Sequence, residues 1–293
     1  MLGILMAALG GLLFSLADAG KKALSATFSP EVIILITMTS GIILNTIYLS
    51  FVGFPEVDWA ATIPPALMLG ILGAIGEALF MYGLRGTDLS LATPLLALTP
   101  VAAGIFDYIC FGHLPTHTGA VGVLVIIAGA YLLSVERPLG TNVLQPFTKL
   151  LGDRGCQFVL LAVVIGGALF VWQKYGFAHS SPVFFVTLTV AVNWIIFASL
   201  AFCFRGRMPK AQLNGRLIAL SSLTGVTWAG GMTLVSTSFH YTLATYASSG
   251  QQIQIPAAIT LGAFWFRETS FKQRIAAGLI MVVGVIMISL SAG

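Results

Sequence analysis

Ten apolar runs, each close to the length that crosses a bilayer, divide this chain. A helix rising 1.5 Å per residue needs about 20 apolar residues to span the hydrocarbon core. The runs read as 2–21, 30–52, 64–85, 89–111, 118–136, 156–177, 181–204, 215–238, 241–265 and 273–291. Charged residues make up only 8% of the chain, against about 25% in a soluble domain. That leaves too little polar surface to cover a water-soluble globule. A transmembrane β-barrel would show short alternating segments, and these runs do not alternate. The predicted fold class is an all-α polytopic membrane protein with ten transmembrane helices.

The same pattern excludes several functions. The net charge of +4 is no nucleic-acid signal, because the basic residues are confined to loops. Cys110, Cys156 and Cys203 form neither a CxxC motif nor a Cys/His cluster, so they read as packing cysteines and not as metal ligands. Gly10-Gly11, Gly166-Gly167 and Gly230-Gly231 lack the strand–turn–helix setting of a phosphate-binding loop and read as close helix packing. No Ser/His/Asp or HExxH pattern is present. The expectation is a protein that is not an enzyme and needs no cofactor.

The two halves of the chain repeat. Gly10-Gly11-Leu12-Leu13-Phe14 matches Gly166-Gly167-Ala168-Leu169-Phe170, and Ser29-Pro30 matches Ser181-Pro182. Leu91-Ala92-Thr93 matches Leu243-Ala244-Thr245, and Phe111-Gly112-His113 matches Phe266-Arg267-Glu268. The matches keep their order, one per corresponding span. They predict a first five-helix repeat over 1–136, a connecting loop over 137–155 and a second repeat over 156–293. Five is odd, so the second repeat enters the membrane inverted, an architecture typical of secondary transporters. All the lysines and arginines but Lys174 then fall on one side, which the positive-inside rule makes cytoplasmic. The expected location is the inner membrane of a bacterium, with both termini non-cytoplasmic.

Spans 4 and 9 and the spans that follow them carry a further pattern. Pro256, Arg267-Glu268, Ala277 and Gly284 lie in the second half; Pro100, Gly112-His113, Gly122 and Gly129 lie in the first. On these residues the chain resembles the drug/metabolite transporter superfamily, in particular its EamA-type ten-helix members. His113 stands where that family usually has glutamate, and Ala277 where it has glycine. The resemblance implies carriage of small metabolites or drugs.

Glu77 is the sharpest functional candidate. It shares a helical face with Gly70, Gly73, Ala74 and Met81, and small residues let neighbouring helices come close. An ionisable group facing protein at mid-membrane is a functional candidate by default. The stretch Ser248-Ser249-Gly250-Gln251-Gln252-Ile253-Gln254-Ile255-Pro256 places amides at a similar depth, where an unpaired amide is costly. Gln251 and Gln254 share a face, and Pro256 should kink the span. Trp228 and Tyr246 are candidate aromatic walls. Asp18 is a candidate gate, and Lys21 and Lys22 beside it read as snorkelling to the interface.

The expected function is secondary active transport of a small polar organic metabolite, an amino acid or related amine, by alternating access. Glu77, Trp228, Tyr246, Ser248, Gln251 and Gln254 would bind substrate; Glu77 and Asp18 would couple or gate, with a proton as the candidate ion. The alternatives are a carrier of lipophilic or quaternary ammonium cations and, behind it, a non-transporting membrane enzyme or partner subunit. The expected partners are a small-molecule substrate and the lipid bilayer, with no nucleic acid; a homodimer is compatible with the sequence.

Overall fold

The computed structural model describes residues 1–112, 116–134, 151–203, 215–241, 247, 250–268 and 270–291. The first half holds α1 (Leu2–Leu24), α2 (Pro30–Val52), α3 (Trp59–Gly86), α4 (Leu89–Leu95), α5 (Thr99–Phe111) and α6 (His117–Ser134). The second holds α7 (Arg154–Ala178), α8 (Pro182–Cys203), α9 (Gly215–Ser238), α10 (Gln254–Trp265) and α11 (Phe271–Ser291). Among the described residues, seven helical runs are long and apolar enough to cross a membrane. The helices α6 and α7 carry shorter apolar stretches, His117–Leu133 and Arg154–Leu169. The chain is therefore an all-α polytopic membrane protein.

Burial is arranged for lipid as the outer solvent. Thr37, Asn45, Thr93, Asn193, Thr224 and Gln254 are buried, while Ile43, Ile71, Leu124, Leu161, Val226 and Phe264 are exposed. An apolar surface gains nothing by leaving hydrocarbon, so helices associate instead through small residues and polar contacts. Gly122 and Gly284 illustrate it. A Cβ on either would lie 2.7 Å from the other's carbonyl oxygen, so the backbones of α6 and α11 meet there without a side chain between them. One Cβ at Gly129 would likewise meet the carbonyl of Ala277 at 3.0 Å.

The interhelical contacts come in matched sets. The helix α1 packs on α9, as α7 packs on α3; α2 packs on α9, as α8 packs on α3; α1 packs on α10, as α7 packs on α5. Two further pairs, α2 with α8 and α6 with α11, join corresponding helices, and α4 packs on α10.

Two spans differ from the continuous helices expected. Run 89–111 is broken: α4 ends at Leu95, Leu96–Leu98 form a 3-10 turn, and α5 begins at Thr99. Pro94 and Pro100 each lack the N–H that a continuing helix needs. In the second half the helix restarts at Gln254, so Pro256 does not kink a continuous span. It sits in the first turn, where a missing N–H costs nothing. Run 64–85 begins earlier, at Trp59, because the Asp58 carboxylate accepts the Ala61 N–H at 3.2 Å and caps α3 there. The cysteine reading also changes. Only Cys156 is buried; Cys110 and Cys203 are exposed on the helix surface.

Candidate functional site

Both broken spans border one cavity of about 370 Å³. Leu96 and Thr99 reach it from the first break, and Gln251 and Gln254 from the second. Helix interruptions at this depth are tolerated where the backbone lines a cavity or is covered by protein. Gly11 lets α1 approach the second break closely, since a Cβ there would collide with the Gln251 carbonyl.

Glu77 and Asp18, singled out in the sequence, both line this cavity, as does Trp228. Gln251 and Gln254 therefore share one space with the carboxylate of the opposite half. Tyr246 and Ser248 lie outside the described residues. The indole of Trp228 rests against α2, where a Cβ at Gly41 would lie 2.5 Å from its ring. Gln252 is buried away from the cavity lining, and its Oε1 has no partner among the described residues.

Lys21 corrects the snorkelling expectation. Its side chain is 2% exposed, and its Nζ donates to Glu77 Oε1 at 2.7 Å. The ammonium also lies 5.8 Å from the ring centroids of both Phe80 and Trp228, within cation–π range. A lysine three residues from the end of α1 can turn outward to water or inward to a partner. Glu77, supplied by α3 as the other half of an ion pair, decides for the inward position. Asp18 precedes Lys21 by one helical turn, is 6% exposed, and feels the charges of both Lys21 and Glu77. The cavity thus holds the Lys21–Glu77 ion pair with a second carboxyl, Asp18, one helical turn away.

Sequence reasoning missed further polar lining residues: Thr99, Gln173, Thr189 and Asn193. Asn193 carried a usable signal as the lone amide in the apolar helix α8. Its Oδ1 is buried without a partner among the described residues, which makes it a free acceptor at the cavity wall.

Toward the lysine- and arginine-rich side the helix ends are tied together. Lys22 Nζ donates to the Leu84 carbonyl at 2.7 Å and also to that of Thr87, joining α1 to the end of α3. Lys22 is half-buried, with its ammonium held at the free carbonyls that end α3. The Glu268 carboxylate accepts the Leu89 and Ser90 N–H groups at 2.7 and 2.9 Å, joining the α10–α11 turn to the start of α4. Arg274 completes the tie, donating to Asp88 Oδ2 at 2.9 Å and to Ser90 Oγ.

This arrangement has known relatives. The sequence model of the EamA-like transporter family matches residues 1–135 and 153–290. The chain belongs to the EamA-like transporter family. As a member of it, this protein is a membrane transporter and not an enzyme. Among the described residues no group of three or more His, Cys, Asp or Glu side chains could hold a metal ion. A solved structure described only as "Crystal structure of protein" matches this EamA-like chain with a TM-score of 0.67 at 14% identity. That alignment covers 99% of this chain and 97% of the other, and it shows a shared fold. Comparison with curated proteins found no match.

Proposed function

We propose that this EamA-like transporter is a secondary active carrier of a small polar organic metabolite, an amino acid or related amine, working by alternating access. The observation that carries the reading is the cavity between the two interrupted spans, with the Lys21–Glu77 pair, Asp18 and the amides of Gln251 and Gln254 on its wall. Its volume of about 370 Å³ is at the small end of ligand pockets, suited to a metabolite and not to a large drug. Leu69, Met38 and Val186 give it apolar walls for a substrate side chain.

Two five-helix repeats, 1–136 and 156–293, joined by 137–155 and inverted in the membrane, are the architecture we assign. The matched interhelical contacts support it, since exchanging the halves maps each contact set onto itself. So do the paired crossings of Gly122 with Gly284 and Gly129 with Ala277, whose members exchange under the same repeat. Secondary transporters bind substrate at such a repeat interface. The lysine- and arginine-rich ends face the cytoplasm in this reading, with both termini outside, in the inner membrane of a bacterium. The cavity is lined within one chain, so a homodimer would carry two independent sites.

Glu77, Trp228, Gln251 and Gln254 are the proposed substrate contacts, with Tyr246 and Ser248 beside them in the chain. Glu77 and Asp18 are the proposed coupling or gating residues. A second carboxyl on the cavity wall also favours a second reading, transport of organic cations, in which Asp18 receives the positive charge. A thermal-shift screen of metabolites, followed by liposome flux of the hits with and without a pH gradient, tests both. Stabilisation by amino acids and their pH-driven flux support the first reading. Stabilisation by choline-like cations alone supports the second, and no flux of any solute overturns transport.

A further inference from the structure

We infer that Lys21 is the receptor for a substrate carboxylate, and that the Lys21–Glu77 ion pair is a shutter which only a ligand carrying both charges opens. The inference rests on the transport reading above and narrows its substrate class from amines in general to zwitterions.

The geometry leads there in steps. The Lys21 ammonium occupies the position that an incoming cation would seek. It is 2.7 Å from Glu77 Oε1 and faces both the Phe80 and Trp228 rings. A ligand with a lone positive charge that takes the place of that ammonium on Glu77 Oε1 leaves Lys21 without its hydrogen-bonded acid, with Asp18 one helical turn away as the remaining carboxyl. A ligand with a lone negative charge strands Glu77 in the same way. Removing one member of a buried pair is strongly unfavourable because the other is left uncompensated. An amino-acid zwitterion keeps the count balanced: its ammonium replaces Lys21 on Glu77, and its carboxylate replaces Glu77 on Lys21.

The surrounding groups fit the same exchange. Lys21 and Glu77 project from α1 and α3, which make few contacts with each other compared with those α1 makes with α9 and α10. Their pair can therefore separate without dismantling a tightly packed helix interface. The unpartnered Asn193 Oδ1 and the amides of Gln251 and Gln254 line the same cavity, and amides donate and accept toward either end of a zwitterion. Asp18 adds a second carboxyl one turn from Lys21, so the comparison must include cations that it could hold.

The test uses the purified full-length protein in liposomes and a panel of neutral amino acids. For each that is carried, the methyl ester (cation only) and the N-acetyl derivative (anion only) are compared. The expected result is flux of the parent and at least about thirtyfold weaker competition by both derivatives, the scale on which an unpaired buried charge weakens binding. Esters that compete as well as the parent overturn the inference and leave the transport reading standing; no flux of any solute overturns that reading itself. The double variant Lys21→Gln, Glu77→Gln removes both charges and strands neither. It should fold with a thermal midpoint near wild type and lose flux of the parent amino acid. Retained flux of the parent in the folded double variant would also overturn the role of Lys21.

Discussion

Replacing Glu268 by glutamine should loosen the lysine- and arginine-rich end of the transporter without disturbing the cavity. The carboxylate is 6% exposed and accepts two backbone N–H groups, from Leu89 at 2.7 Å and from Ser90 at 2.9 Å. Its second oxygen lies 3.5 Å from Arg274 Nη1. A hydrogen bond to a charged group contributes about 1.5–3 kcal/mol and a neutral one about 1 kcal/mol. Glutamine keeps a single acceptor oxygen. One bond becomes neutral, and the other is replaced by an amide N–H facing a backbone N–H. The net loss is about 3 kcal/mol, or roughly a hundredfold in the equilibrium between tied and separated helix ends. A cysteine at Ser90, buried between Glu268 and Arg274, reads that equilibrium. In a background with Cys110, Cys156 and Cys203 changed to serine, alkylation by N-ethylmaleimide should be slow. Adding Glu268→Gln should speed it on the order of a hundredfold, because labelling follows the open fraction, and the thermal midpoint should fall. Unchanged labelling with an unchanged midpoint would refute the idea that Glu268 holds this end closed.

Three other substitutions probe the packing. Gly284→Val should separate α6 from α11 at their backbone contact with Gly122 and destabilise by about 1–3 kcal/mol, seen as a lower thermal midpoint; Gly104→Ala, which meets nothing within 4 Å, is the control. Gly41→Ala should push the Trp228 indole toward the cavity and weaken ligand-induced stabilisation more than it lowers the midpoint of the unliganded protein. Arg267 holds φ at 55° in the turn that presents Glu268, a region favouring glycine. Arg267→Gly should therefore raise stability by about 0.5–1 kcal/mol, measured as a higher midpoint.

The helices were legible because length and apolarity along a chain are local properties, and lipid demands both. The ends of α2, Pro30–Val52, and of α9, Gly215–Ser238, coincide with the runs read from sequence. The breaks were half legible. Prolines 94, 100 and 256 mark them, but a proline does not say whether a helix kinks, stops or restarts. That depends on whether its missing N–H falls in a first turn, as for Pro256. Glu77 could be found alone, since an acid among small residues must face protein. Lys21 could not, because its inward turn depends on an acid 56 residues away. Asn193 was missed for a different reason: one amide in an apolar helix has a structural explanation whenever a neighbour can bond to it, and only the packed structure leaves its oxygen without one.

Counterflow in liposomes tests the central claim most directly. Vesicles holding the purified protein are loaded with an unlabelled amino acid identified by thermal shift, and entry of the labelled form is followed. The account predicts transient accumulation in wild-type vesicles and its loss in the folded Lys21→Gln, Glu77→Gln variant. Wild-type accumulation that persists unchanged in that variant would contradict the assignment of this cavity as the transport site.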